Sequence, residues 1–121
     1  MNTTILNKYK IKFQFLSGIN EPMVKQTEIT DLGYLLSIFL MEHPYINYLN
    51  SEIVPEISNA LNNVFINSLE RGENAILKIG NPMSNFTYTG SSTKTISIPT
   101  VDLKEIILSW IDYLTSQGIV Q

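Results

Sequence analysis

The segment Lys94-Thr-Ile-Ser-Ile-Pro-Thr-Val-Asp-Leu-Lys-Glu-Ile-Ile-Leu-Ser-Trp-Ile-Asp-Tyr-Leu114 constrains the fold more than any other. It opens with alternation, Thr95 and Ser97 against Ile96 and Ile98, the period of a half-buried strand. Asp102, with Glu105 three residues on, has the spacing of a capping box. Val101 before it can pack on Ile106 as a hydrophobic staple. Leu103, Ile106, Ile107, Trp110 and Leu114 then recur at helical spacing, and Gly118 suits the helix end. A strand leading straight into an amphipathic helix needs a matching apolar face elsewhere in the chain.

The remaining segments supply one. Tyr9 to Phe15 alternates strictly, with Tyr9, Ile11, Phe13 and Phe15 on one face and Lys8, Lys10, Lys12 and Gln14 on the other. Ser17 to Pro22 reads as a loop. Thr30 can cap a helix running to about Glu42, with Leu32, Leu35, Leu36, Phe39 and Leu40 on its apolar face. Pro44 ends it by pushing His43 out of the helical region. After a connector over Pro44 to Asn50, a second helix starts near Pro55. Its stripe is Ile57, Leu61, Val64, Phe65 and Leu69, and Gly72 suits its C-terminal cap. Asn74 to Ile79 reads as a strand, and Phe86 to Thr89 with Thr95 to Ile98 as a hairpin across Gly90-Ser-Ser. Ala75, Leu77, Ile79, Phe86, Tyr88, Ile96 and Ile98 can share a face with the aromatics of the first strand. Lys78, Thr87, Thr95 and Ser97 fall opposite. The expected fold is a single α+β domain over residues 1–121. A mostly antiparallel four-stranded sheet carries three helices on one face, in the order β-α-α-β-β-β-α.

Composition narrows the chemistry. Of 121 residues, 44% are hydrophobic and 16% charged, enough to bury a core and too apolar for a disordered chain. With no cysteine, disulfides, thiolate catalysis and Cys-based metal sites are excluded. The net charge of −3 and the single Arg argue against nucleic acid as a partner. The longest apolar run, Leu35 to Met41, is far short of the roughly 20 residues needed to span a bilayer. The start lacks a secretory pattern, so a cytoplasmic, membrane-free protein is expected.

No segment spells out a catalytic signature. His43 is the only histidine; Glu42 beside it cannot orient it, because adjacent helical residues point apart. The carboxylates lack the loop spacing of a calcium site, and Gly72, Gly80 and Gly90 are isolated, so neither metal nor cofactor is expected. Lys8, Lys10, Lys12, Lys78 and Lys94 on one sheet face could track phosphates, but lysines on exposed strands more commonly prevent edge pairing. Trp110 at helical spacing reads as core. One cluster reads as interface. Tyr45 and Tyr48, flanked by Glu42, Glu52 and Glu56, combine rigid aromatic area with carboxylates that suit a basic partner. Packing of both rings over the helix pair is the competing reading of the same residues.

The stretch Ile96 to Leu114, a strand, then Pro-x-x-Asp, then a helix with Trp110 and a Tyr113-Leu114 ending, resembles small bacterial immunity proteins. These are the cytosolic antidotes of contact-dependent growth inhibition and other polymorphic-toxin systems. The resemblance is confined to that C-terminal stretch and implies a non-enzymatic protein that binds and blocks one cognate toxin domain, often a nuclease. It assigns no contact residue. Two other classes compete with it: a phage- or plasmid-encoded accessory or regulatory module that binds a ligand, and a small hydrolase. A neighbouring gene ending in a toxin domain separates the first from the others.

Overall fold

The computed structural model describes residues 1–16, 18, 21–64 and 70–119, with the side chains of residues 91–94 excepted. Its elements in chain order are α1 (Thr3–Lys8), β1 (Ile11–Leu16), β2 (Glu21–Gln26), α2 (Asp31–Glu42), α3 (Ile46–Tyr48), a π-helical turn (Leu49–Ile53), α4 (Val54–Leu61), β3 (Ala75–Lys78), β4 (Met83–Tyr88), β5 (Ser91–Pro99) and α5 (Thr100–Ser116). The class is α+β, as the sequence implies, but the sheet is divided. β1 and β2 form a separate antiparallel hairpin, and β3-β4-β5 form a three-stranded antiparallel sheet. The expected four-stranded sheet is therefore corrected to five described strands in two sheets, and the expected β start is preceded by a helix.

Two elements escape the sequence patterns. α1 is short and β-branched, so propensity does not announce it. It forms because the Asn2 side chain accepts from the Ile5 backbone N–H at 3.1 Å and because α5 receives it. The Asn2 N–H donates to Ser109 Oγ at 3.0 Å, and Asn2 Nδ2 donates to Glu105 at 3.2 Å. β2 contains Pro22, which reads as a loop. In a two-stranded sheet both strands are edges, and Pro22 opposite Phe15 is tolerated there.

The helices show why position matters more than spacing. Thr30 does cap α2, its Oγ1 accepting from the Gly33 N–H at 2.9 Å, and His43 ends it. The 44–50 connector, by contrast, is already helical from Ile46. α3, the π turn and α4 run on as one stretch over 46–61, with helical dihedrals throughout. Pro55 explains the wide turn. It has no N–H for the Ser51 carbonyl and its ring presses on that carbonyl, so the helix relaxes by widening. α4 stops at Leu61, followed by Asn63 at φ 57°, which leaves Val64 exposed. Phe65 and Leu69 of the expected stripe lie outside the described residues. Gly72 is left-handed at φ 114°, but among the described residues it serves a tight turn before β3. A Cβ there would collide with the Ala75 carbonyl oxygen.

β3, β4 and β5 pair as the alternation requires, with Leu77 opposite Phe86 and Phe86 opposite Ile96. Ala75, Leu77, Ile79, Phe86 and Ile98 are buried, with Tyr88 and Ile96 half-buried at the margin, while Lys78, Thr95 and Ser97 are exposed. α2 and α5 cover the apolar face, and α2 also packs on β2. The first strand's aromatics do not join that face. Phe13 packs instead on α5, its ring 4.9 Å from Trp110 and edge-on at 63°.

α5 begins two residues before the expected cap. Thr100 is buried, its hydroxyl donating to the Gly80 carbonyl at 2.5 Å and lying 2.7 Å from Ser84 Oγ. This anchor draws the helix start back to Thr100. Asp102 thus sits within the first turn, and its carboxylate accepts from the Tyr9 hydroxyl and from Lys8 Nζ at 2.9 Å. Val101 is exposed, so neither capping box nor staple forms. The stripe itself is as expected: Leu103, Ile106, Ile107, Trp110 and Leu114 are all fully buried. The Trp110 indole N–H donates to the His43 carbonyl at 3.1 Å.

Two outcomes follow. Trp110→Ala should destabilise the fold by about 3–5 kcal/mol in urea melts, because it opens a large cavity and orphans a carbonyl. For Asp102, burial pushes the carboxyl up, but hydrogen bonds from Tyr9 and Lys8 and the Lys8 charge outweigh it and hold the carboxyl below its ordinary value. A depressed carboxyl contributes stability above the unfolded value of about 3.9 and loses it as pH falls through the folded value. Asp102→Asn should therefore lower the melting midpoint at pH 7, and the gap to wild type should close below about pH 4.

Candidate partner-binding site

The Glu42, Tyr45, Tyr48, Glu52 and Glu56 cluster is brought to one region, at the end of α2 and along the 46–61 helical stretch, but its members take different roles. Tyr45 and Glu52 are exposed, at 48% of the residue and 53% of the side chain respectively. Asn47, Asn50 and Ser51 are exposed beside them. These residues form the accessible part of the cluster.

Glu56 is not accessible. It is 8% exposed, and its Oε2 accepts from Arg71 Nε at 2.8 Å. Its other oxygen is buried without a hydrogen-bond partner among the described residues. The carboxylate expected to face a basic partner is instead spent on the chain's only arginine. Arg71 also donates from Nη1 to the Tyr48 hydroxyl at 3.2 Å and approaches Glu52 at 3.9 Å. Its backbone is fixed as well, since Arg71 and Leu77 exchange both N–H···O bonds, at 2.9 and 2.7 Å. Arg71 thus ties the turn before β3 to the π turn and α4.

Glu42, half-buried, is likewise engaged within the chain. Its carboxylate accepts from Asn74 N at 3.1 Å, from Asn74 Nδ2 at 2.9 Å and from Ala75 N at 3.4 Å. It closes the 73–75 turn.

Tyr48 is half-buried and stacks on His43, with ring centroids 5.6 Å apart and planes at 17°. His43 in turn lies 4.2 Å from the Phe39 ring. The His43 Nδ1 lies 2.6 Å from the Phe39 carbonyl oxygen, a partner that only accepts, so this nitrogen carries the proton. The histidine is a rung in an aromatic column and, among the described residues, has no carboxylate hydrogen-bonded to it. The column rests on Trp110 through the His43 carbonyl.

The lysines expected on one face are dispersed. Lys8 pairs with Asp102, Lys12 sits on the hairpin, and Lys78 lies on the three-stranded sheet. The Lys94 side chain lies outside the described residues. An open concavity of about 430 Å³ over the solvent face of that sheet is lined by Glu70, Lys78, Asn85, Thr87 and Thr95, among others.

Among the described residues no cluster of three metal-ligating side chains occurs, and no helix is long and apolar enough to cross a membrane. Compared with protein-family models, with curated proteins and with solved structures, the chain matches none.

Arg71 was not among the residues the sequence singled out. A lone Arg in a chain with many Glu was the available signal, but its partners lie 15 and 23 positions away, beyond helical spacing. Removing one member of a buried pair leaves the other uncompensated. Arg71→Met should cost about 3–5 kcal/mol in denaturant melts, and adding Glu56→Gln should recover part of the loss.

Proposed function

We propose that this chain works by binding a protein, as an immunity-type inhibitor of a bacterial toxin domain in the cytoplasm, without turnover. The observation that carries the reading is the form of the 45–52 surface. An exposed tyrosine and an exposed carboxylate stand on a helical stretch held from beneath by Arg71, by the His43 column and by Trp110. A helical backbone held from beneath loses little entropy on association, which is the property a tight stoichiometric inhibitor needs. The C-terminal resemblance supports the same class. The engagement of the only histidine in stacking and in a backbone hydrogen bond supports a role without catalysis.

On this reading Tyr45 is the anchor and Glu52 the steering charge, while Glu42, Tyr48 and Glu56 shape the surface from below. A basic toxin domain would be drawn by Glu52 and held by the tyrosine, and covering its active site would block it without chemistry. The test is co-expression with the toxin domain encoded beside this gene, followed by binding kinetics. Tyr45→Ala should weaken binding by about 1–3 kcal/mol, mainly through the off-rate. Glu52→Gln should lower the on-rate and flatten its salt dependence. Cells that die despite an abundant folded copy would end the immunity reading. Wild-type kinetics in the Tyr45→Ala and Glu52→Gln variants would move the interface elsewhere.

A further inference from the structure

Charge is unevenly shared along this chain. Residues 1–27 hold four lysines against one glutamate, while residues 28–121 hold four cations against ten carboxylates. The structure concentrates the positive excess on the β1–β2 hairpin. Lys12 lies directly opposite Lys25, and opposed residues of an antiparallel pair share a face. Both are exposed, on the side away from the core, and Lys10 is exposed two residues before Lys12. Like charges directly across a ladder are destabilising. Elsewhere three cations are paired, Lys8 with Asp102, the terminal amine with Asp112, and Arg71 with Glu52 and Glu56, while Lys78 and Lys104 stand singly. Among the described residues, Lys10, Lys12 and Lys25 have no ion pair.

The next row on the same face is Gln14 opposite Met23, both half-buried, and the row beyond is Leu16 opposite Glu21. The face thus runs from the paired lysines through Gln14 and Met23 to Leu16, with the Glu21 carboxylate at its far corner, in rows spaced by about two strand residues, or roughly 6.6 Å. We propose that this outer face of the hairpin is a docking surface for an acidic protein segment. Such a segment places carboxylates against Lys12 and Lys25 and apolar side chains, two and four residues further along, against Met23 and Leu16. The chemistry favours protein over polyanionic phosphate. The face carries no arginine to fork onto phosphate and no aromatic ring to stack a base, while Met23 and Leu16 offer contacts that a phosphate backbone cannot use. The surface is distinct from Tyr45 and Glu52, so the two proposals stand or fall separately.

The experiment uses the full ¹⁵N-labelled chain at low salt. The probes are a synthetic extended peptide with two alternate glutamates followed by two alternate leucines, a short DNA duplex, and vesicles containing phosphatidylserine. Saturable amide shifts confined to residues 10–16 and 21–25 are expected with the peptide only. Lys12→Gln with Lys25→Gln should weaken the peptide by at least roughly tenfold, as should high salt. Because the two lysines repel one another, the double variant should melt no earlier than wild type. Peptide shifts that are absent or centred elsewhere overturn the proposal, as does tighter binding of the duplex or the vesicles. An earlier melt of the double variant, or aggregation of it with peptide binding intact, overturns it too, by showing that the lysines serve the fold or shield its edges.

Discussion

The burial of Trp110 is the constraint on which the other parts depend. Its ring meets Phe13 of the hairpin edge-on and stacks near Tyr113 at 6.0 Å, and its N–H satisfies the carbonyl that the end of α2 leaves at His43. One side chain therefore joins the N-terminal hairpin, the end of α2 and the C-terminal helix. A buried indole carries both a large apolar area and an obligatory donor, so it fixes position as well as proximity. The aromatic column of Phe39, His43 and Tyr48 is built on that fixed point.

Electrostatics divides the molecule differently from the packing. The carboxylates nearest the core are consumed in holding the chain together: Asp102 on α1, Glu42 on the turn before β3, and Glu56 on Arg71. Glu52 is left partly free by a guanidinium that is already satisfied, and the hairpin lysines are left without partners among the described residues. Removing either partner of the Glu56–Arg71 pair would strand a charge in a largely dry site, so the pair specifies geometry even where its net contribution is small.

Much of the fold was legible because period follows burial. The stripe of α5, the cap of α2 at Thr30 and the alternation through β3, β4 and β5 each arise from local physics that a sequence displays. The failures share a cause, which is a partner distant in sequence. Asp102 has the spacing of a capping box, yet a buried Thr100 bound to Gly80 decides where α5 begins. The alternation of β1 is visible, but nothing local says that Phe13 faces a helix and not the second sheet. Of the candidate site, the location was legible and the roles were not. Glu42 and Glu56 look like surface carboxylates until Asn74 and Arg71 arrive from more than a dozen positions away.

The π turn over Leu49–Ile53 has a bearing on how this chain can vary. A π turn is in effect an α-helix with one residue too many, and each residue turns a helix by about 100°. Deleting a residue there would return the stretch to ordinary α geometry and swing everything before it around the axis. Tyr48 would leave Arg71. A substitution at the exposed Asn50 alters only chemistry, whereas a change of length alters phase. The spacing between Tyr45 and Glu56 is thus more tightly held than the identities of the exposed residues between them.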